Sequence, residues 1–461
     1  MDGLECSEIK FSEMFFENRL DSEYFLKNIL AKDAILDELE SIKIGDFSYV
    51  TDGIHESIEF DDKSNINLIS AKAPKKNYFD LSGTGFISKS QNEQNPRTQL
   101  QCNDIIVSTV GTIGNCAVVN EEVLPANSDR HVGIVRLISD SVVKPRYLST
   151  FILSKYGQYQ TKRFTTGNVQ PNLFIYKIKD IKVPVISNLW QDKIEGIVLQ
   201  AEKLLKEAKK RYKLTEILLV EKLNININST DSISIKTLSN SFNLSGRLDA
   251  EYYQSKYEKY NAVVQNSKLG FTFIKTEFGL VNEKCDRLLS KYPYIEIGDI
   301  DVATGTATFK MVLTEELPDN AKIMTKANDI LVSTVRPNRG AVAILEQDDL
   351  LVSGAFTVLR EKSNYPREVL QVLLRSEMYR DWMLRYNVGT SYPVIKDEDI
   401  LNLPIPILDE ELKKEIVNNV QESFRLRKRS KELLDIAIKA VEMAIETDEK
   451  TALAWLDSQN V

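Results

Sequence analysis

Two long stretches of the chain carry their apolar residues at steps of three and four. Over residues 190–223 these are Ile194, Val198, Ala201, Leu205, Ala208, Tyr212, Thr215 and Leu219, with no proline and a single glycine, Gly196. Alternating steps of four and three form a heptad seam, the pattern of a long helix packed against a partner helix. A second stretch opens at Asp409, a helix N-cap by residue type, and runs to Glu446 with neither proline nor glycine. Its stripe, Ile416, Val420, Phe424, Leu434, Ala437, Val441 and Ala444, is less regular. At 1.5 Å per residue each helix would reach about 50 Å. Two such stripes in one chain are most simply buried against each other. Elsewhere the pattern is that of mixed globules. The β-branched runs 104–108 and 329–333 fit buried strands, and 116–119 and 341–345 fit their return strands. Gly111, Gly114 and Gly340 punctuate the turns, while residues 146–163 and 367–386 read as helices on the sheet.

The chain repeats itself. Arg19-Leu20-Asp21-Ser22-Glu23-Tyr24 returns as Arg247-Leu248-Asp249-Ala250-Glu251-Tyr252, five of six identical at an offset of 228. Asn103-Asp104-Ile105-Ile106-Val107-Ser108-Thr109-Val110 returns at 328–335, seven of eight identical at an offset of 225. Asp180-Ile181-Lys182-Val183-Pro184 is echoed by residues 399–404 with one insertion. Three matches in one order mean two copies of one unit. The expected fold class is α+β: two similar mixed α/β globules separated by two long antiparallel coiled-coil helices, related by a pseudo-two-fold. The boundaries fall at 1–186 (globule), 187–226 (helix), 227–405 (globule), 406–450 (helix) and 451–461, a tail expected to fray.

Composition narrows the classes. Of 461 residues, 43% are apolar and 27% charged, an ordinary soluble balance, and no run approaches the roughly 20 apolar residues of a membrane span. Residues 1–5 lack the basic and apolar regions of a secretory leader. Four scattered cysteines and two histidines suit neither a disulfide framework nor a zinc centre. The expectation is a cytoplasmic, reduced chain without metal or cofactor. Net charge is −8, against indiscriminate coating of nucleic acid. Charge is uneven, however: residues 1–62 hold 5 Lys+Arg against 17 Asp+Glu, a net of −12, and residues 63–186 hold 16 against 8, a net of +8.

Catalytic motifs are missing. There is no GxxxxGK[ST] phosphate loop, no Asn/Asp-Pro-Pro-aromatic methyltransferase tetrapeptide, no dinucleotide glycine fingerprint and no GxSxG elbow. Residues 318–322 approach a metal-dependent nuclease pattern, but Asn320 stands where the acid is required. His131, beside Asp129 and Arg130, has no nucleophile assignable by spacing. The chain reads as a binder. Two similar heads at a set span match the two-fold symmetry of duplex DNA, and divergence between copies would make the half-sites different.

The organisation globule, long helix, globule, long helix resembles the DNA-specificity subunit of type I restriction-modification systems. Residues 103–114 and 328–340 look like that family's Asp-Ile-Leu…Gly segment. Asp52-Gly53-Ile54-His55 resembles its Asp-Gly-Thr-His turn, and residues 180–184 and 401–406 its strand into the spacer helix. The second unit lacks the Asp-Gly-Thr-His counterpart, and Arg336-Pro337-Asn338-Arg339 replaces Gly111-Thr112-Ile113-Gly114. The resemblance implies a non-catalytic subunit that binds double-stranded DNA at a bipartite asymmetric site. It would recruit two methyltransferase subunits and the restriction subunits, in which methylation and ATP-driven cleavage would reside. A protein–protein scaffold with two homologous heads is the alternative, and a self-contained nuclease a third.

Candidate DNA contacts follow from side-chain chemistry, since Arg and Lys suit guanine, Asn and Gln adenine, and Ser and Thr either. In the first unit these are Ser108, Thr109, Thr112, Asn115, Thr166, Asn168 and Gln170, with His55 through its turn. Lys72, Lys75, Lys76, Lys89 and Arg97 suit phosphates, which position without specifying. Ser108 and Thr109 equally suit a backbone-satisfying role in the turn. In the second unit the candidates are Arg336, Asn338 and Arg339, then Thr390, Ser391 and Tyr392 after Gly389.

Overall fold

The asparagine that opens each repeated strand motif adopts a left-handed backbone, φ 72° at Asn103 and 73° at Asn328, a conformation asparagine tolerates better than most residues. This turn buries the aspartate that follows. Asp104 receives two hydrogen bonds from the Arg136 guanidinium, at 2.8 and 2.7 Å, and Asp329 receives two from Arg360, at 2.7 and 2.8 Å. Each aspartate also accepts from the backbone N–H three residues earlier, at Gln101 and Lys326. The repeated Asn-Asp is therefore the anchor of a strand.

The structure, a computed structural model, describes residues 8–10, 21–167, 171–223 and 233–459. It is a mixed α/β chain that divides into two units, the first formed by residues 1–205 and 427–461, the second by residues 206–426. The division passes through both long helices, Asn188–Lys222 and Glu410–Glu446.

In the first unit an antiparallel sheet has the order Ser48–Asp52, Val132–Leu137, Ile105–Ser108, Cys116–Val118. A second sheet joins Phe86–Ile87, Ile66–Ile69 and Ala126–Ser128. The second unit repeats the first sheet as Phe278–Leu280, Phe356–Glu361, Ile330–Ser333, Val342–Ile344. Its other sheet has the order Lys310–Leu313, Lys291–Ile295, Leu350–Ser353, Ala321–Thr325. The strands expected at 104–108, 116–119, 329–333 and 341–345 all form within these sheets.

Each expected sheet-packing helix is in fact two. Pro145–Leu153 and Lys155–Phe164 meet at Ser154, and Arg367–Arg375 and Glu377–Leu384 meet at Ser376. Both serines have extended backbones and accept from an N–H of the following helix, so the serine that ends one helix caps the next. The second helix of each pair explains the other repeated motif. Arg163 lies over the ring of Tyr24 at 4.1 Å and donates to its carbonyl, and Arg385 does the same to Tyr252 at 4.5 Å. Arg247 grips Asp249 with two bonds, holding that carboxyl below the usual carboxylate range.

A two-stranded ribbon leads into each long helix, Ser41–Lys43 with Lys182–Pro184 and Phe271–Phe273 with Pro404–Pro406. Tyr147 donates to the Pro184 carbonyl at 2.8 Å and Tyr365 to that of Pro406 at 3.1 Å. Burial pushes both phenols far above their ordinary value, so they remain neutral donors.

The heptad stripe is interior. In the first unit Trp190, Ile194, Val198 and Ala201 share a core with Leu434, Ala437, Val441 and Ala444. In the second, Tyr212 and Leu219 share one with Ile416 and Val420. The irregularity of the second stripe has a cause: Ser423 and Ser430, one heptad apart, occupy buried positions. Their hydroxyls donate to the carbonyls of Ala208, within the second unit, and Ala201, within the first, at 2.8 and 2.7 Å. Asp409 caps the second long helix, accepting from Leu412 N–H at 2.8 Å, as its residue type implies. The tail corrects the sequence reading. Its residues as far as Ser458 form a helix, Glu449–Ser458, capped by Asp448, with Ala452 and Leu456, one turn apart, buried in the first unit's core.

The buried pair yields a test. Arg136→Met should cost about 3–5 kcal/mol in urea unfolding, because Asp104 would be left as an uncompensated interior charge. Adding Asp104→Asn should restore a substantial part of the loss.

Candidate nucleic-acid interface

At one end of the repeated sheet, loops far apart in sequence are tied together. Leu173 N–H donates to the Thr109 carbonyl at 2.9 Å, and Ile395 N–H donates to that of Thr334 at 3.0 Å. Further pairing joins Val110 to Asn172 in the first unit and Val335 to Val394 in the second. The turn after the repeated strand motif thus lies beside the loop after the helix pair, in both units.

In the second unit this gathers every sequence candidate. Arg336, Asn338, Arg339, Thr390, Ser391 and Tyr392 are all exposed. The Asn387 side chain clasps the loop, its oxygen accepting from Gly389 N–H at 2.8 Å and Val394 N–H at 2.9 Å. Gly389 is required there because a Cβ would meet the Tyr392 carbonyl at 2.1 Å. Arg336 N–H donates to the Pro393 carbonyl at 2.7 Å, and its guanidinium lies 5.4 Å over the Tyr392 ring. Arg336 also holds a left-handed backbone, φ 50°, at the position where the first unit has Gly111, φ 69°. A non-glycine residue in that region carries strain, which the cation–π contact and the Pro393 bond offset.

The first unit is more selective about its candidates. Thr112 is exposed, Asn115 and Thr166 are half-buried, and Thr166 pairs with Asn172. Ser108 is a correction: it is fully buried and its hydroxyl donates to the Ala71 carbonyl at 2.7 Å, the backbone-satisfying role. Its counterpart Ser333 is likewise buried and donates to Val335. Thr109 is almost as buried, at the floor of a cleft, so neither side chain is placed at the surface as a base contact requires. Asn168 and Gln170 lie outside the described residues. Lys72 and Lys76 are exposed and Lys75 half-buried, in the segment held to the sheet through Ala71 and the pairing of Lys76 with Cys116. Lys89 stands on the helix Lys89–Gln94, tied to residues 57–59 through Gln91, and pairs with Glu93 rather than joining the loops.

The cleft holds about 410 Å³ and gathers residues that spacing alone did not connect. Asp52, His55, Thr109, Arg130, His131 and Asn172 line it. Both histidines of the chain are therefore here. His55 Nε2 lies 2.6 Å from Asp52 Oδ2, and His131 Nδ1 3.3 Å from Asp129 Oδ2. Arg97, assigned from sequence to phosphate, reaches Asp52 at 3.3 Å and also bonds Thr51, which brings it beside His55. Gly53 explains the resemblance turn: a Cβ would meet the Asp129 carbonyl at 2.2 Å, so only glycine lets the segments that carry His55 and His131 approach this closely. Arg130, Asn172 and the exposed aromatics Phe174 and Tyr176 were not singled out from sequence. The polar run Asp129-Arg130-His131 was the available signal for the first; exposure of an aromatic carries none.

Residues 247–434 match the family described as the type I restriction modification DNA specificity domain. No curated protein matches the chain. Among solved structures it is similar to the type I restriction-modification system S subunit from M. genitalium, with 12% identity over 89% of this chain and 95% of that one and a TM-score of 0.41. It is also similar to the HsdS subunit from Thermoanaerobacter tengcongensis, with 14% identity over 89% and 97% and a TM-score of 0.29.

Two substitutions probe these turns. Gly53→Ala should cost about 1–3 kcal/mol in urea unfolding, since the obstructing atom is backbone. Arg336→Gly should leave stability unchanged to within about 1 kcal/mol, as relief of the left-handed strain cancels the lost cation–π contact, whereas Arg336→Val should be distinctly destabilising.

Proposed function

We propose that this chain, whose residues 247–434 match the type I restriction modification DNA specificity domain, is a DNA-specificity subunit of that family and reads duplex DNA with the two gathered loop surfaces, one half-site to each unit. The observation that carries the reading is the repeated pairing of distant polar loops at the same end of the same sheet. In the second unit those loops offer Arg336, Asn338, Arg339, Thr390, Ser391 and Tyr392 to solvent, donors suited to base edges and phosphates. Because the loops differ between units while the sheet does not, the two half-sites differ in sequence. The long helices Asn188–Lys222 and Glu410–Glu446 each contribute to both units.

The chemistry belongs to other chains in this reading. Two methyltransferase subunits, and restriction subunits with them, assemble on this protein in the cytoplasm. An exposed apolar row on the first long helix, Leu214, Ile217 and Val220, offers a surface for a partner subunit. No helix among the described residues is long and apolar enough to cross a membrane.

Retention on duplex DNA across a salt series, with and without methyltransferase subunits, tests the proposal. A reader making about six phosphate contacts should lose roughly 10³-fold in affinity between 50 and 200 mM salt. A scaffold that never meets DNA would show no retention to lose. Arg336→Ala combined with Arg339→Ala should weaken site binding by roughly ten- to a hundred-fold and relax base choice in one half-site, with subunit assembly intact. Unchanged binding and unchanged site choice would remove these residues from the interface.

A further inference from the structure

The first unit exposes two aromatic rings where a folded chain ordinarily hides them. Phe174 is 44% and Tyr176 59% exposed, and their rings stack on each other, centroids 5.8 Å apart and planes within 13°. Phe174 also lines the cleft that holds His55, Arg130, His131 and Asn172. The stack is thus continuous with the loop surface, one residue past the Leu173 bond that ties the loops together.

The second unit lacks this feature. Leu173 and Ile395 make the same backbone bond, and Phe174 and Lys396 both precede a short helix, Ile175–Lys179 and Asp397–Leu401. The register therefore sets Lys396 opposite Phe174 and Glu398 opposite Tyr176, both exposed. His131 likewise corresponds to Ala355, since each accepts from the matching threonine N–H, Thr109 and Thr334. Rigid rings beside a polar cleft lined by Arg130, Asn172 and two histidines have one well-suited partner in duplex DNA: the face of a base pair opened at a step, with donors beside it for the adjoining base edge and phosphate.

We infer that Phe174 and Tyr176 form a base-stacking wedge that unstacks one step of the half-site read by the first unit, while the half-site read by the second unit stays regularly stacked. The inference rests on the DNA-reading function proposed above. The wedge reads deformability, which depends on sequence at positions that need no hydrogen bond.

The test uses the full chain and duplexes that the wild type selects from a random pool, with 2-aminopurine placed at one position at a time. Wild-type binding should raise the fluorescence several-fold at one step, in one half-site only. Phe174→Ala with Tyr176→Ala should abolish that rise and weaken site binding by roughly ten- to a hundred-fold, leaving the salt slope as in the wild type. Phe174→Lys with Tyr176→Glu, which installs the residues that the second unit exposes at these positions, should behave alike and guards against a folding defect. A bound wild-type complex with no rise, a rise in both half-sites, or a rise that survives either double variant would overturn the wedge while leaving the DNA-reading function standing. If the wild-type chain retains no duplex at any salt, both fall.

Discussion

One backbone hydrogen bond, made once in each unit, holds the rest of the surface in place. Leu173 to Thr109, and Ile395 to Thr334, fasten the loop that follows the helix pair to the turn that follows the central strand. Those residues lie some sixty positions apart, so the bond is a tertiary event that turns two ordinary loops into one surface. It depends in turn on the strand being held from the other end. The buried aspartate and its bidentate arginine do that, because leaving the aspartate's charge alone inside the protein is too costly for the strand to slip.

Duplication with divergence follows a physical division of labour. Shared residues serve the frame: the left-handed asparagine, the buried aspartate, the tyrosine beneath an arginine and the serine between helices. Differences collect where the frame ends. Gly111 gives way to Arg336 in the same backbone conformation, Phe174 to Lys396, and His131 to Ala355. A loop held at both ends can change its side chains without disturbing a core, which is how one scaffold comes to carry two distinct surfaces.

Resemblance and structure assign different roles to some of the same residues. Asp52-Gly53-Ile54-His55 carries a family likeness, yet each member has a physical reason to be there. Gly53 admits a close approach, Asp52 holds His55 and Arg97, and Ile54 is buried in the core. Ser108 and Ser333 belong to the most similar segment of the two copies, and they are interior groups that satisfy nearby carbonyls. Identity between repeats therefore marks scaffold here, and departure between repeats marks the surface.

Much of the fold was legible along the chain because it obeys local rules. The heptad stripes, the Asp409 cap and the β-branched strands depend on neighbours within a turn or a strand, so their residues announce them. The break at Ser154 and Ser376 was missed because a serine within an apolar helical pattern signals a cap only once both helices have somewhere to pack. The tail helix was missed for a similar reason: Ala452 and Leu456 become a buried edge only when the core of the first unit exists to receive them. The candidate loops of the second unit were legible as polar, glycine-bounded clusters, and tertiary structure brought them side by side. Burial of Ser108, the meeting of both histidines with Arg130 in one cleft, and exposure of Phe174 and Tyr176 were tertiary decisions. Residue type states what a side chain prefers, but only the completed packing states which atoms water can still reach.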